Sequence, residues 1–178
     1  MCDYDAQVRE CLRMNPVQFV RTALQYVVMR NHDDDRTAFR HDVMVFAHDD
    51  DADKVHRRFD DALRPSRRVS TRDDVPFGHS EVNAMARCVR ECRWLVPVLT
   101  ANFLADSFCV YFVTSVQFDR PHALVPVVWD QPLPVDIADV AVAELLRTGD
   151  PLYWPGDQAP TNDQRAFWES LLERTTPL

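Results

Sequence analysis

HDVMVFAHDDD, residues 41–51, is the segment from which the fold class of this chain can be inferred. Its centre, residues 43–47, is an uninterrupted apolar run, which is typical of a strand covered on both faces. The acidic residues that follow open a helical pattern in which apolar side chains recur every four positions, at Val55, Phe59 and Leu63. A buried strand that leads directly into an amphipathic helix indicates the first half of a βαβ unit.

The alternation of apolar runs and helical patterns continues downstream. Further strands are predicted at residues 68–71, 94–99, 124–129 and 152–154, and helices around residues 80–89, 108–118 and 162–174. Strands and helices in this alternation predict an α/β domain with a parallel sheet and helices on both faces. Pro97 is unusual inside a central strand, and we expect a local irregularity there.

Residues 1–39 are expected to form an N-terminal helical extension to a domain at residues 40–178. Asn15 and Pro16 favour a helix start, because asparagine caps a first turn and proline suits the first helical position. Apolar residues then follow at helical spacing. A packed helix is favoured over a linker for this extension.

Composition excludes several classes of function. The chain has 178 residues, 46% hydrophobic and 27% charged, as in ordinary globular domains. Its 20 basic and 28 acidic residues sum to a formal net charge of −8, which argues against binding of nucleic acid or of an anionic membrane surface. The three glycines, Gly78, Gly149 and Gly156, cannot form a P-loop or a dinucleotide-binding glycine motif.

The cysteines and the N-terminal residues predict a reducing, cytoplasmic environment. The five cysteines include no C-x-x-C pair, and a chain of this length needs no disulfide framework. The first residues, MCDYD, do not resemble a signal peptide. Apolar runs are too short to span a bilayer, so no direct membrane insertion is expected.

Four sequence boxes, in the family's order, resemble those of TIR (Toll/interleukin-1 receptor) domains. They are residues 41–51, residues 72–78 (RDDVPFG), residues 99–109 (LTANFLADSFC) and the pair Phe167-Trp168. They are similar to the family's first strand with its acidic exit, its R-D-x-x-P-G loop, its L-T-x-N-F-x-x-S-x-W-C segment and its F-W pair. The resemblance spans about residues 40–174 and implies a flavodoxin-like, five-stranded parallel sheet.

The details of the boxes refine this resemblance. One additional residue precedes Gly78 in the loop, and Phe108 stands where tryptophan is usual. Phe46, residues 102–106 and residues 114–115 resemble the TRIF and TRAM adaptor group most. The resemblance therefore implies a TIR adaptor or signalling module in innate immune, Toll-like receptor signalling.

The resemblance also bears on catalysis, because some TIR domains cleave NAD+ with a glutamate on the helix after the third strand. The matching position here is Phe112. A phenyl ring cannot stabilise the positive charge that develops on the ribose, so the resemblance implies a non-catalytic domain without a cofactor. Cleavage of NAD+ remains the alternative.

Two possible metal sites in the sequence are each explained better without a metal. The carboxylates of residues 49–51 could bind Mg²⁺ as in receiver domains, but the lysine and the further aspartate of that arrangement are missing. The helix dipole favours acidic residues at the start of a helix, and this explains the acidic run better. The closely spaced His41, His48 and His56 are expected on different faces of their elements rather than in a zinc site.

The remaining expectation is a protein-binding surface that recognises other TIR domains, with self-association included. Its candidate residues are those of the loop and one cysteine of the following box: Arg72, Asp73, Asp74, Val75, Pro76, Phe77, Gly78 and Cys109. A rigid proline beside exposed apolar side chains, flanked by acids, suits docking with defined orientation. The alternatives are that the loop's apolar residues and Cys109 face the core, and that the protein is a decoy that blocks signalling.

Overall fold

Five short strands alternate with helices in the computed structural model, which describes residues 39–71, 89–130, 133 and 140–176. The strands are β1 (His41–Phe46), β2 (Val69–Thr71), β3 (Cys92–Leu99), β4 (Val127–Val128) and β5 (Leu152–Tyr153). The helices are α1 (Asp49–Leu63), α2 (Ala101–Ala105), α3 (Ser107–Asp119), α4 (Val140–Thr148) and α5 (Thr161–Arg174). In this part of the chain, no helix combines the length and the apolar character that crossing a bilayer requires.

All five strands are parallel, and their order in the sheet is β2-β1-β3-β4-β5. Val43 of β1 is opposite Val69 of β2 on one side and Trp94 of β3 on the other. After β1, the chain therefore forms β2 on one side of it and then crosses over to form β3 on its other side. This order is that of flavodoxin-like folds, and it confirms the predicted five-stranded α/β class.

The two faces of the sheet bury separate apolar clusters. Val43 and Val45 of β1 pack in one cluster with residues of α1 and α5. Met44 and Phe46, which alternate with them, pack in the other with residues of α3 and α4. Because both faces of β1 are covered, residues 43–47 contain no polar side chain, as the sequence pattern predicted.

Helix α1 confirms the pattern read from its sequence. Val55, Phe59 and Leu63 are its buried residues, at the predicted four-residue spacing. Three aspartates occupy the first turn, where the positive end of the helix dipole favours anions. His48 provides the N-cap, so the helix begins as soon as the chain leaves β1.

Pro97 interrupts the sheet on one side of β3 only. The backbone N–H of Val125 donates to Leu95 O, and that of Trp129 donates to Leu99 O. Alternate residues of β3 therefore direct their backbone polar groups towards β4, and Pro97, midway between these two, has no N–H to contribute. As a result, β4 is shorter than the predicted 124–129 and pairs through Val127–Val128 plus a single bridge at Leu124.

An aromatic cluster joins the carboxyl ends of β4 and β5 to α5. The rings of Trp129 and Trp154 stack in parallel with centroids 4.9 Å apart. Phe167 and Trp168 of α5 both contact Trp154 edge-on or tilted, at 5.1 and 5.4 Å. The F-W pair of the sequence analysis therefore fixes the last helix on the sheet through packing.

Arg120 stabilises the opposite edge of the sheet, at the amino end of β3. Its guanidinium donates hydrogen bonds to three backbone carbonyls, those of Cys92 and Arg93 at the start of β3 and that of Val89 just before it. It also lies over the ring of Phe39, 5.3 Å from the centroid, and Arg93 lies over the same ring at 5.2 Å. Burial lowers the pKa of Arg120, and the carbonyl oxygens compensate for the lost hydration.

Three expectations fall outside the described residues. The helical extension at residues 1–39 lies there except for Phe39, and so do most of the predicted helix at residues 80–89 and the loop at residues 72–78. The division into residues 1–39 and 40–178 stays a prediction.

Candidate functional site

The carboxyl ends of β1 and β3 form the natural candidate site of this sheet. In open parallel sheets, ligands bind at the carboxyl edge where the strand order reverses, because two loops diverge there and leave a crevice. That reversal lies between β1 and β3 in this chain. Polar and acidic side chains follow both strands, and several of them are joined across the crevice by hydrogen bonds or lie close together.

Asp51, in the first turn of α1, connects these two loops. Its Oδ2 accepts a hydrogen bond from Thr100 Oγ1 at 2.6 Å, and both carboxylate oxygens accept from Asn102 Nδ2 at 3.2 and 3.3 Å. Thr100 is 1% exposed, and its hydroxyl also accepts from the backbone N–H of Phe103 to cap α2. The Asp51 carboxylate is thus engaged in holding two loops together.

His48 and Asp106 form a second contact across the same crevice. His48 Nδ1 accepts from the backbone N–H of Asp50 at 3.2 Å, and its Nε2 lies 3.5 Å from Oδ2 of Asp106. The other carboxylate oxygen of Asp106 accepts from the backbone N–H groups of Phe108 and Cys109 and caps α3. Both side chains are therefore also committed to helix starts.

Phe112, which the sequence resemblance matches to the glutamate of NAD+-cleaving TIR domains, lies inside the apolar cluster beneath α3. It is 2% exposed. Its ring centroid is 4.6 Å from that of Phe46, and Phe46 in turn contacts Phe103 at 5.5 Å. Position 112 is therefore a packing position between α3 and β1, in contact with the ring of Phe46.

Cys109 is completely buried in the same cluster. Of the two positions considered for it in the sequence analysis, the core-facing one is the one observed. A direct contact of its thiol with a partner would require α3 to move. The loop residues at positions 72–78 lie outside the described residues.

Among the residues that the structure describes, no group of three or more His, Cys, Asp and Glu side chains could hold a metal ion. The first-turn carboxylates instead serve the roles given above. His41 lies at the start of β1 and His48 at the opposite end, which separates two of the three histidines considered for zinc.

Sequence reasoning missed the hydrogen bonds that connect the loops after β1 and β3. The signal for them was present in the segment Thr100-Ala101-Asn102, where two short polar side chains follow a buried strand. Three exposed apolar side chains were also missed: Phe118 at 87%, Val140 at 82% and Tyr153 at 54%. Their exposure depends on which side of a helix or strand packs on the sheet.

The sheet order and the crevice between β1 and β3 define a flavodoxin-like α/β protein. The comparison with solved structures narrows this class. The TIR domain of the Toll-related receptor TRR-2 from Hydra magnipapillata superposes with a TM-score of 0.60 at 16% identity, over 76% of this chain and 98% of that one. The chain therefore has the fold of a TIR domain.

A second structure found is that of the TIR domains of the activated Roq1 resistosome, which directly recognizes the pathogen effector XopQ. Its TM-score is 0.45 at 16% identity, over 76% of this chain and 83% of that one. No family model matches the sequence, and no match is found among curated proteins.

Proposed function

We propose that this chain is a non-catalytic TIR signalling module that acts by associating with other TIR domains, including copies of itself. The role would be that of an adaptor of the TRIF or TRAM kind in cytoplasmic innate immune signalling. The TIR fold supports the general class, and the resemblance of residues 102–106 and 114–115 supports the adaptor group.

The observation that carries the non-catalytic part of this proposal is the environment of Phe112. An acid that stabilises an oxocarbenium-like transition state must reach a solvated cleft. Phe112 is buried against Phe46 and carries no charge. Two carboxylates of the crevice, those of Asp51 and Asp106, are held by side-chain and backbone donors of the neighbouring loops.

Association is supported by the apolar side chains that the fold leaves outside. Phe118, Val140 and Tyr153 are large, apolar and exposed. Helix α3 carries no charged residue from Ser107 to Phe118, which lowers the cost of removing its surface from water. In the sequence of residues 72–78, Val75 and Phe77 stand beside the rigid Pro76, as expected of a docking segment.

The test of association is a co-precipitation of the purified chain with a panel of TIR domains and with a differently tagged copy of itself. Pro76→His should abolish binding while the melting temperature stays near that of the parent. Pro121→His, a matched change at an exposed proline in the described part of the chain, should bind normally. Equal binding by both variants would contradict docking through the loop.

The test of catalysis is the release of nicotinamide from NAD+ by the same preparation. We expect none above the rate without protein. Release that persists in Phe112→Leu would contradict a non-catalytic domain and would favour the NAD+-cleaving alternative. A chain that binds TIR partners but reduces signalling in a reporter assay would be a decoy rather than an adaptor.

A further inference from the structure

His48 lies in the turn between β1 and α1 and contacts the starts of two helices. Its Nδ1 accepts a hydrogen bond from the backbone N–H of Asp50 at 3.2 Å, which caps α1. Its Nε2 lies 3.5 Å from Oδ2 of Asp106, the residue that caps α3. The side chain is 19% exposed, so it is largely enclosed but still in contact with solvent.

The hydrogen-bond pattern defines the protonation state of this imidazole. A ring nitrogen that accepts a hydrogen bond carries no proton, so the single proton of the neutral ring is on Nε2, directed at Asp106. A protonated imidazole carries a proton on each nitrogen and cannot accept at all. The cap on the Asp50 N–H can therefore exist only while His48 is neutral.

Asp50 also provides the partner that the protonated ring requires. Its carboxylate Oδ2 lies 3.8 Å from His48 Nδ1 and its side chain is 77% exposed, so it can turn towards the ring. In the part of the chain that the structure describes, the charged groups that face His48 include this carboxylate and that of Asp106. The other two first-turn acids of α1, Asp49 and Asp51, add negative charge nearby.

We propose that His48 is a proton-operated switch at the carboxyl edge of the sheet. The neutral ring caps α1 through the Asp50 N–H, and the protonated ring pairs with the Asp50 and Asp106 carboxylates and releases the cap.

The released cap has a consequence at the crevice between β1 and β3. Asp51 belongs to the same first turn of α1, and its carboxylate holds Thr100 and Asn102 of the next loop. When the first turn loses its cap, this connection loosens as well. A single proton on His48 thus changes how firmly the loops after β1 and β3 are joined.

The test is an NMR titration of the ¹⁵N-labelled full chain between about pH 5 and 8, the range in which histidine titrates. At high pH, the His48 ring should carry its proton on Nε2. As the ring becomes charged, the protection of the Asp50 amide from exchange, corrected for intrinsic rates, should fall about fivefold, equivalent to the ~1 kcal/mol typical of a lost N-cap. The side-chain amide of Asn102 should shift over the same pH range.

Two variants separate the switch from general acid effects. His48→Asn keeps a good cap acceptor but does not titrate, so the responses of Asp50 and Asn102 should disappear. His41→Asn removes a histidine at the other end of β1 and should leave both responses intact. A ring that carries its proton on Nδ1 at high pH, or responses that survive in His48→Asn, would overturn the proposal.

Discussion

Replacing Phe112 by glutamate tests whether position 112 belongs to the core or borders a catalytic cleft. The change installs the glutamate that the sequence resemblance matches to this position. If the position bordered a solvated cleft, the carboxylate would be hydrated and the fold would tolerate it. Because the Phe112 ring is 2% exposed and 4.6 Å from the Phe46 ring, we expect the opposite.

The expected loss follows from two contributions. Removal of a buried phenyl ring costs about 3–5 kcal/mol when the side chain is truncated to alanine. A glutamate that stays in the apolar cluster must in addition lose its hydration or take up a proton, at a cost of several kcal/mol. The sum is comparable with the whole free energy of unfolding of a typical domain, about 5–15 kcal/mol.

The assay is urea unfolding followed by tryptophan fluorescence and circular dichroism. Phe118→Glu is the matched control, because it makes the same change on the same helix at a side chain that is 87% exposed. We expect Phe118→Glu to stay within about 0.5 kcal/mol of the parent and Phe112→Glu to be largely unfolded. Equal stability of the two variants would refute the placement of Phe112 in the core.

Three further predictions concern the connections between loops and strands. Thr100→Val keeps the shape of a buried side chain but removes the hydroxyl bonded to Asp51, so urea unfolding should show a loss of about 1–3 kcal/mol; an unchanged stability would contradict this role. Arg120→Met should cost about 2–3 kcal/mol, because three carbonyls at or just before the start of β3 lose their donor; a melting temperature equal to the parent's would argue against it. The hydrogen bonds from Arg68 hold the pKa of the Asp42 carboxyl below its ordinary value. A carboxyl with a lowered folded-state pKa stabilises the fold above its unfolded-state pKa of about 4 and loses that contribution as the pH falls further. The free energy of unfolding should therefore decline less steeply below that pH in Asp42→Asn than in the parent, and parallel declines would contradict the assignment.

The positions of strands and helices followed closely from the sequence where the pattern reflects burial. The run at residues 43–47 and the spacing of Val55, Phe59 and Leu63 reported which side chains face the sheet, and the structure confirms both. The length of β4 could not be predicted from the sequence. It depends on which neighbouring strand Pro97 faces with the backbone nitrogen that lacks a hydrogen. The side towards which a residue's backbone polar groups point depends on how the strands pair, and it cannot be predicted from the sequence of one strand alone.

The candidate site could be predicted from the sequence only in part, for a similar reason. The sequence alone determined that position 112 carries a phenyl ring, that residues 49–51 are acidic and that an apolar strand precedes them. Only the tertiary structure decided that Asp51 reaches Thr100 and that His48 lies between the starts of α1 and α3. Composition and periodicity describe one element at a time, whereas these contacts join residues about fifty positions apart, which come together only because β1 and β3 pair at the centre of the sheet.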